Sequence, residues 1–215
     1  IYSKINIVNG LIENFNKYIN SDGLLVSKPG KRLFLDWSLV SRNEPNAVYN
    51  FHYLYFLQKS QNIFDHLNYE YDLSESINKL KLNITEKFFC NNIWYDDYER
   101  TTFSQQSASF SILTDINKNC NINAILSDIA KCSLNEVINN KMVLASPFTH
   151  FYVFLALEKH KMYDDIIKII KHKWGYWAKN DYPTTWENWN VDFPDGSQCH
   201  SFSAHPLYFI NKYSE

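Results

Sequence analysis

Glycine and proline are scarce in this chain, 5 and 6 among 215 residues. A many-stranded sheet would need more turn punctuation than that, so long helices are what remains. A surplus of one charge is missing as well. The net charge is −2 with Lys and Arg scattered, so no field gathers polyanions and nucleic acid is excluded as a partner. No apolar run approaches the roughly 18 residues of a membrane span, and no membrane partner is expected. The four cysteines, Cys90, Cys120, Cys132 and Cys199, form no Cys-x-x-Cys or Cys/His zinc spacing. They read as buried thiols rather than a disulfide framework; no metal and no cofactor is expected. Localisation stays open, with the cytoplasm favoured. Phosphate-cradling glycine loops, Gly-x-Ser-x-Gly elbows and EF-hand spacing are absent too.

What the chain does have is apolar periodicity at helical spacing. It predicts about eight helices, over residues 5–19, 45–64, 73–89, 104–116, 122–138, 147–159, 163–177 and 197–213. Ser21-Asp22-Gly23 reads as the stop of the first, Pro45 and Pro147 as first-turn residues, and Pro206 as an interruption of the last. Ile77, Leu80, Leu82 and Ile84 read as anchors of the third. Short extended pieces fall between helix pairs at 33–35, 93–95, 142–144 and 184–186. The expectation is an all-α domain over 1–215, made of antiparallel helical hairpins around a common axis.

Aromatic residues make up 17% of the chain, and several tryptophans avoid helix interiors. Trp37 follows Asp36 in "FLDWSL", Trp94 lies in "NNIWYDDYER", and Trp186 and Trp189 flank Glu187 in "PTTWENWN". An indole face can stack on the C–H face of a sugar while a nearby carboxylate binds hydroxyls; equally, each could be a buried anchor with a satisfied indole N–H. Glu187 has two readings. Flanking rings would raise its pKa and the hydroxyls of Thr184 and Thr185 would lower it, which suits a base; or it opens a helix and meets its dipole. His200 and His205 are five apart, which disfavours a metal pair on one helix face. Asp96, Asp97 and Glu99 read as a solvated turn.

The segment "WGYWAKNDYPTTWENWNVDFPDGSQCHSFSAHPLYFI", residues 174–210, resembles the C-terminal part of bacterial α-L-rhamnosidase catalytic domains of glycoside hydrolase family 78. The resemblance rests on Trp174-Gly175-Tyr176, on Thr184, Thr185, Trp186, Glu187 and Trp189, and on Ser197 and His200. Upstream, "FLDWSL" and "SPFTHFYVFLALEKHKMYDDIIKII" look like further parts of the domain, so the likeness spans nearly the whole chain; only the Thr-Thr-x-Trp-Glu-x-Trp segment is specific. It implies an (α/α)6 toroid of six hairpins and inverting hydrolysis of terminal α-L-rhamnosides, with a carbohydrate as partner. It puts the water-activating base on Glu187. Asp36, Trp37, Trp186, Trp189 and His200 would line the sugar pocket.

One departure carries an expectation. The family's general acid lies in an Asp- and Arg-rich segment upstream of everything seen here, and before Asp36 the acids are Glu13 and Asp22 alone. Twelve helices also need about 260 residues, from typical helix and loop lengths. The toroid is therefore expected to be incomplete, the isolated chain inactive, and an open helical edge available for pairing with another copy. A non-catalytic carbohydrate-binding module and a helical scaffold with core aromatics are the competing readings.

Overall fold

The computed structural model describes residues 2–31, 33–117, 120–136, 141–189 and 196–213, and eight α-helices run through them. They are α1 (Tyr2–Asn16), α2 (Ala47–His66), α3 (Ser74–Phe88), α4 (Gln105–Leu113), α5 (Ile122–Ser133), α6 (His150–Lys159), α7 (Tyr163–Lys179) and α8 (Pro206–Tyr213). Strands β1 (Phe89–Cys90) and β2 (Ile93–Trp94) form a small hairpin after α3, pairing Phe89 with Trp94 and Cys90 with Ile93. Its turn residues, Asn91 and Asn92, have φ of 51° and 62°, the pair of left-handed conformations a two-residue type I′ turn demands.

The packing is that of helical hairpins. α2 packs on α3 and α4, α4 on α5 and α6, α6 on α7, α5 on α7, and α7 on α8. Thus α2, α4 and α6 stand side by side, and α3, α5 and α7 return behind them. The fold is all-α, as expected. α4 lies at the centre of the row and is buried from Gln105 to Ile112, polar residues included. α1 joins through Phe15, whose ring meets Tyr53 at 5.4 Å and Phe56 at 6.2 Å.

Several boundaries differ from the sequence expectation. α2 begins after Pro45 because Asn46 caps it, its side chain accepting from Tyr49 N. α6 begins at His150, since 147–149 form a turn. The expected last helix splits: 197–200 are tied to the loop before them, Ser201–Ala204 make one 3₁₀ turn, and Pro206, lacking an N–H, opens α8. Leu82 is no anchor; it is 71% exposed, whereas Leu80 and Ile84 are buried. Gly23 does not stop α1. It sits at φ +70° in the turn that follows, where a Cβ would come within 2.2 Å of the Asn83 side chain.

Helix ends explain how so few glycines suffice. α2, α4, α5, α6 and α7 each finish with a left-handed residue one place past the C-cap: Asn68, Asp115, Asn135, Lys161 and Asp181. In each case the next N–H reaches back five residues, as in Tyr69 N to Phe64 O at 2.9 Å and Met162 N to Leu157 O at 3.0 Å. These are Schellman endings without glycine. Asn and Asp tolerate that conformation; Lys161, at φ 60°, does not. Replacing Lys161 by Gly relieves about 1–2 kcal/mol of strain against about 0.5–1 kcal/mol of backbone entropy. The expected outcome is a gain of up to about 1 kcal/mol in urea unfolding, with the unfolding cooperativity unchanged.

Candidate functional site

The Asp36 carboxylate lies wholly inside the protein, where it accepts from Gln106 Nε2 at 2.6 Å, Ser146 N at 2.8 Å, Thr149 Oγ1 at 2.7 Å and the Ser146 hydroxyl. Its own carbonyl takes Arg42 NH2 at 3.0 Å. The expectation that Asp36 faces a sugar is replaced: all its acceptor capacity is spent on the loop before α6 and on α4. Its neighbour Trp37 points the other way.

The Glu187 loop is closed by main-chain pairing. Glu187 N donates to Ser197 O at 2.9 Å and His200 N to Thr185 O at 2.8 Å. The Thr185 hydroxyl donates to His200 O at 3.0 Å and that of Thr184 to Gln198 O. So the two threonines serve the carbonyls of Gln198 and His200, not the Glu187 carboxylate as expected. Glu187 Oε2 instead accepts from Ser197 N at 2.8 Å, and Oε1 lies 3.7 Å from His200 Nε2. The two side chains are only 12% and 23% exposed, so the carboxylate is not a free surface acid. The exposed ring of Phe202 stands 5.3 Å from that of His200 and 5.4 Å from Phe148.

Beside this loop opens a cavity of about 450 Å³ between Trp37, Ser38, Leu39, residues 141–144, Ser146, Asn188 and Trp189. Trp37 and Trp189 both line it, while Glu187 and His200 lie next to the cavity without lining it. Trp189 is held by Nε1 donating to Ala145 O at 2.7 Å, with Trp177 stacked at 5.5 Å and the Lys173 ammonium over the ring at 5.4 Å. Among the described residues Trp37 has one ring contact, with Phe34 at 5.4 Å, and is the less encumbered platform. Trp186 is turned into the core against Tyr182 and Trp177 and does not line this cavity. Asn188, which the motif carries between Glu and Trp, was not singled out from the sequence.

Other titratable groups are structural. Asp96 and Asp97 are buried, contrary to the expected solvated turn, while Glu99 is exposed. Burial pushes the Asp96 carboxyl up, against hydroxyl donors from Ser107, Thr102 and Ser104. For Asp97 burial also pushes upward, but donors from Ser41, Thr101 and Asn43 prevail and hold it low. Burial depresses three histidines: His150 to about 3, and His52 and His205 to about 4. Among the described residues no group of three or more His, Cys, Asp or Glu could hold a metal ion, and no helix is long and apolar enough to cross a membrane.

Rows of antiparallel helical hairpins place the chain among all-α hairpin domains. The model of the bacterial alpha-L-rhamnosidase 6 hairpin glycosidase domain family matches residues 13–213, and the chain belongs to that family. A GH78 family rhamnosidase of Bacillus sp. GL1 shares the fold at a TM-score of 0.80 and 18% identity, over 96% of this chain and 23% of its own length. A rhamnosidase from Klebsiella oxytoca, solved with rhamnose bound, superposes at a TM-score of 0.69 and 20% identity, over 93% of this chain and 40% of its own. The chain thus spans less than half of either solved relative. No curated protein matches it.

Two outcomes follow for stability. Asp36→Ala leaves four buried donors without an acceptor and is expected to cost about 3 kcal/mol or more in urea unfolding, with a changed tryptophan emission from Trp37 and Trp189. The depressed histidines set the acid limb. Their folded pKa values lie below the ordinary 6.5, so folding favours the neutral rings; stability is full above about pH 6.5 and is lost as pH falls toward 4 and then 3. Each contributes up to about 1.4 kcal/mol per pH unit in that window, and His52→Phe should flatten the slope by that amount between pH 6 and 4.5.

Proposed function

We propose that this chain is the base-bearing portion of an inverting glycoside hydrolase acting on terminal α-L-rhamnosides, with Glu187 as the group that takes a proton from the attacking water. The observation that carries the reading is the Glu187 carboxylate itself. It is mostly shielded, held from one side by Ser197 N–H, and set 3.7 Å from His200 beside the cavity of Trp37 and Trp189. One oxygen is fixed by the loop and the other keeps lone pairs for a water, the arrangement a general base needs.

Inversion also requires a second carboxyl about 6.5–9.5 Å away to protonate the leaving group. The buried acids Asp36, Asp96 and Asp97 are consumed by internal donors and do not qualify. None of these three is the acid in this reading, and the 215 residues alone are expected to be inactive. In the full-length protein, Glu187→Gln is expected to lower hydrolysis of an aryl α-L-rhamnoside by at least about 10²-fold, with little change in KM; activity near that of the parent removes Glu187 from the mechanism.

A second reading, a carbohydrate-binding module without chemistry, is favoured by one observation: Glu187 does not line the cavity. It expects rhamnoside binding to this chain that survives Glu187→Gln, and a full-length protein with no turnover.

A further inference from the structure

The cavity beside Glu187 has a wall that is largely apolar, and its polar members are mostly occupied. Ser38 Oγ accepts from Gln106 Nε2 at 2.8 Å, and the Ser146 hydroxyl donates to Asp36. Lys141 is exposed at the rim. Asn188 differs. It is only 7% exposed, it lines the cavity, and its Nδ2 is buried with no hydrogen-bond partner among the described residues. A buried amide donor left unpaired destabilises the protein, and native interiors rarely retain one without a use.

We propose that Asn188 is a specificity-determining residue of this cavity, its carboxamide donating to a hydroxyl oxygen of a sugar whose C–H face lies on Trp37. The proposal rests on the carbohydrate reading given above and adds to it the residue that selects among sugars. The ligand this wall fits is neutral, with one apolar face and at least one hydroxyl at its edge. An anionic sugar gains little here, because the one cation at the cavity, Lys141 among the described lining residues, sits exposed at its rim. Placed one residue after Glu187, Asn188 fixes the sugar with respect to the base, so selection and chemistry share one loop.

The test is a titration of the 215-residue chain with methyl α-L-rhamnopyranoside and its monodeoxy derivatives, followed by tryptophan fluorescence and calorimetry. The parent is compared with Asn188→Leu, Asn188→Ala, Asn188→Asp and Trp37→Ala. The expected result is binding by the parent and a loss of about tenfold in each Asn188 variant, the aspartate included because it cannot donate. One deoxy sugar should bind parent and Asn188→Leu equally, which identifies the partner hydroxyl. If Trp37→Ala abolishes binding while all Asn188 variants match the parent, the role of Asn188 is overturned and the carbohydrate reading stands. If Asn188→Asp alone keeps full affinity, donation is overturned. If the parent binds no sugar, the carbohydrate reading of the cavity fails and Asn188 falls with it. Asn188→Ala gives the same readings should the leucine variant fail to fold.

Discussion

Three separate stretches of chain meet at one buried carboxylate, that of Asp36, and the cavity exists because they do. Taking a carboxylate out of water costs several kcal/mol, which the protein offsets with donors from Gln106, Ser146 and Thr149. Each donor belongs to a different structural task. Gln106 is on the central helix α4; Ser146 is on the cavity wall; Thr149 is the N-terminal neighbour of α6. On the other side of the same peptide unit stands Trp37. Fixing the acid therefore fixes the ring, and because Ala145 O receives Trp189 Nε1, the opposite wall is set by the same knot.

The central helix shows the same logic. α4 reads Gln-Gln-Ser-Ala-Ser-Phe-Ser, yet it is buried between α2 and α6. Small serines allow the flanking helices to approach, and the two glutamines replace apolar volume with fixed directions. Gln105 donates to Ile129 O at 2.8 Å and to Ser133 Oγ at 2.7 Å while accepting from Ala145 N at 2.8 Å. It thus locks α5 and the cavity wall to one another. Buried networks of this kind are costly when incomplete and specific when satisfied, which suits a helix whose task is to hold loops rather than merely fill a core.

Much of this was legible from residue order. Apolar spacing located the eight helices to within a few residues, whereas the capping roles of Asn46 and Ser104 emerged only in the fold. Leu82 failed because one apolar residue on the outer face of a helix does not disturb a periodic pattern. Helix ends failed for another reason: Asn68, Asp115, Asn135 and Asp181 do the work of glycine, and nothing but geometry marks them as left-handed. The site was half legible. Asp36 and Trp37, Glu187 and His200, and Trp189 all belong to the region, yet adjacency in sequence hid the division of labour between a buried acid and a half-buried ring on the cavity. The bonding of Thr184 and Thr185 to carbonyls 198 and 200 depends on a return of the chain that no local pattern reveals.

The segments 184–189 and 196–200 show how a few residues can carry several roles. Trp186 goes down into the core with Tyr182 and Trp177, which anchors the loop. Glu187 turns to His200 and Ser197, Asn188 to the cavity, and Trp189 across to Ala145. Three successive side chains after an anchor thus serve three partners, and no insertion or deletion between Trp186 and Trp189 could preserve them all. The tight spacing of the motif follows from that constraint: the indoles are the two fixed ends, and the acid and amide are positioned by the backbone strung between them.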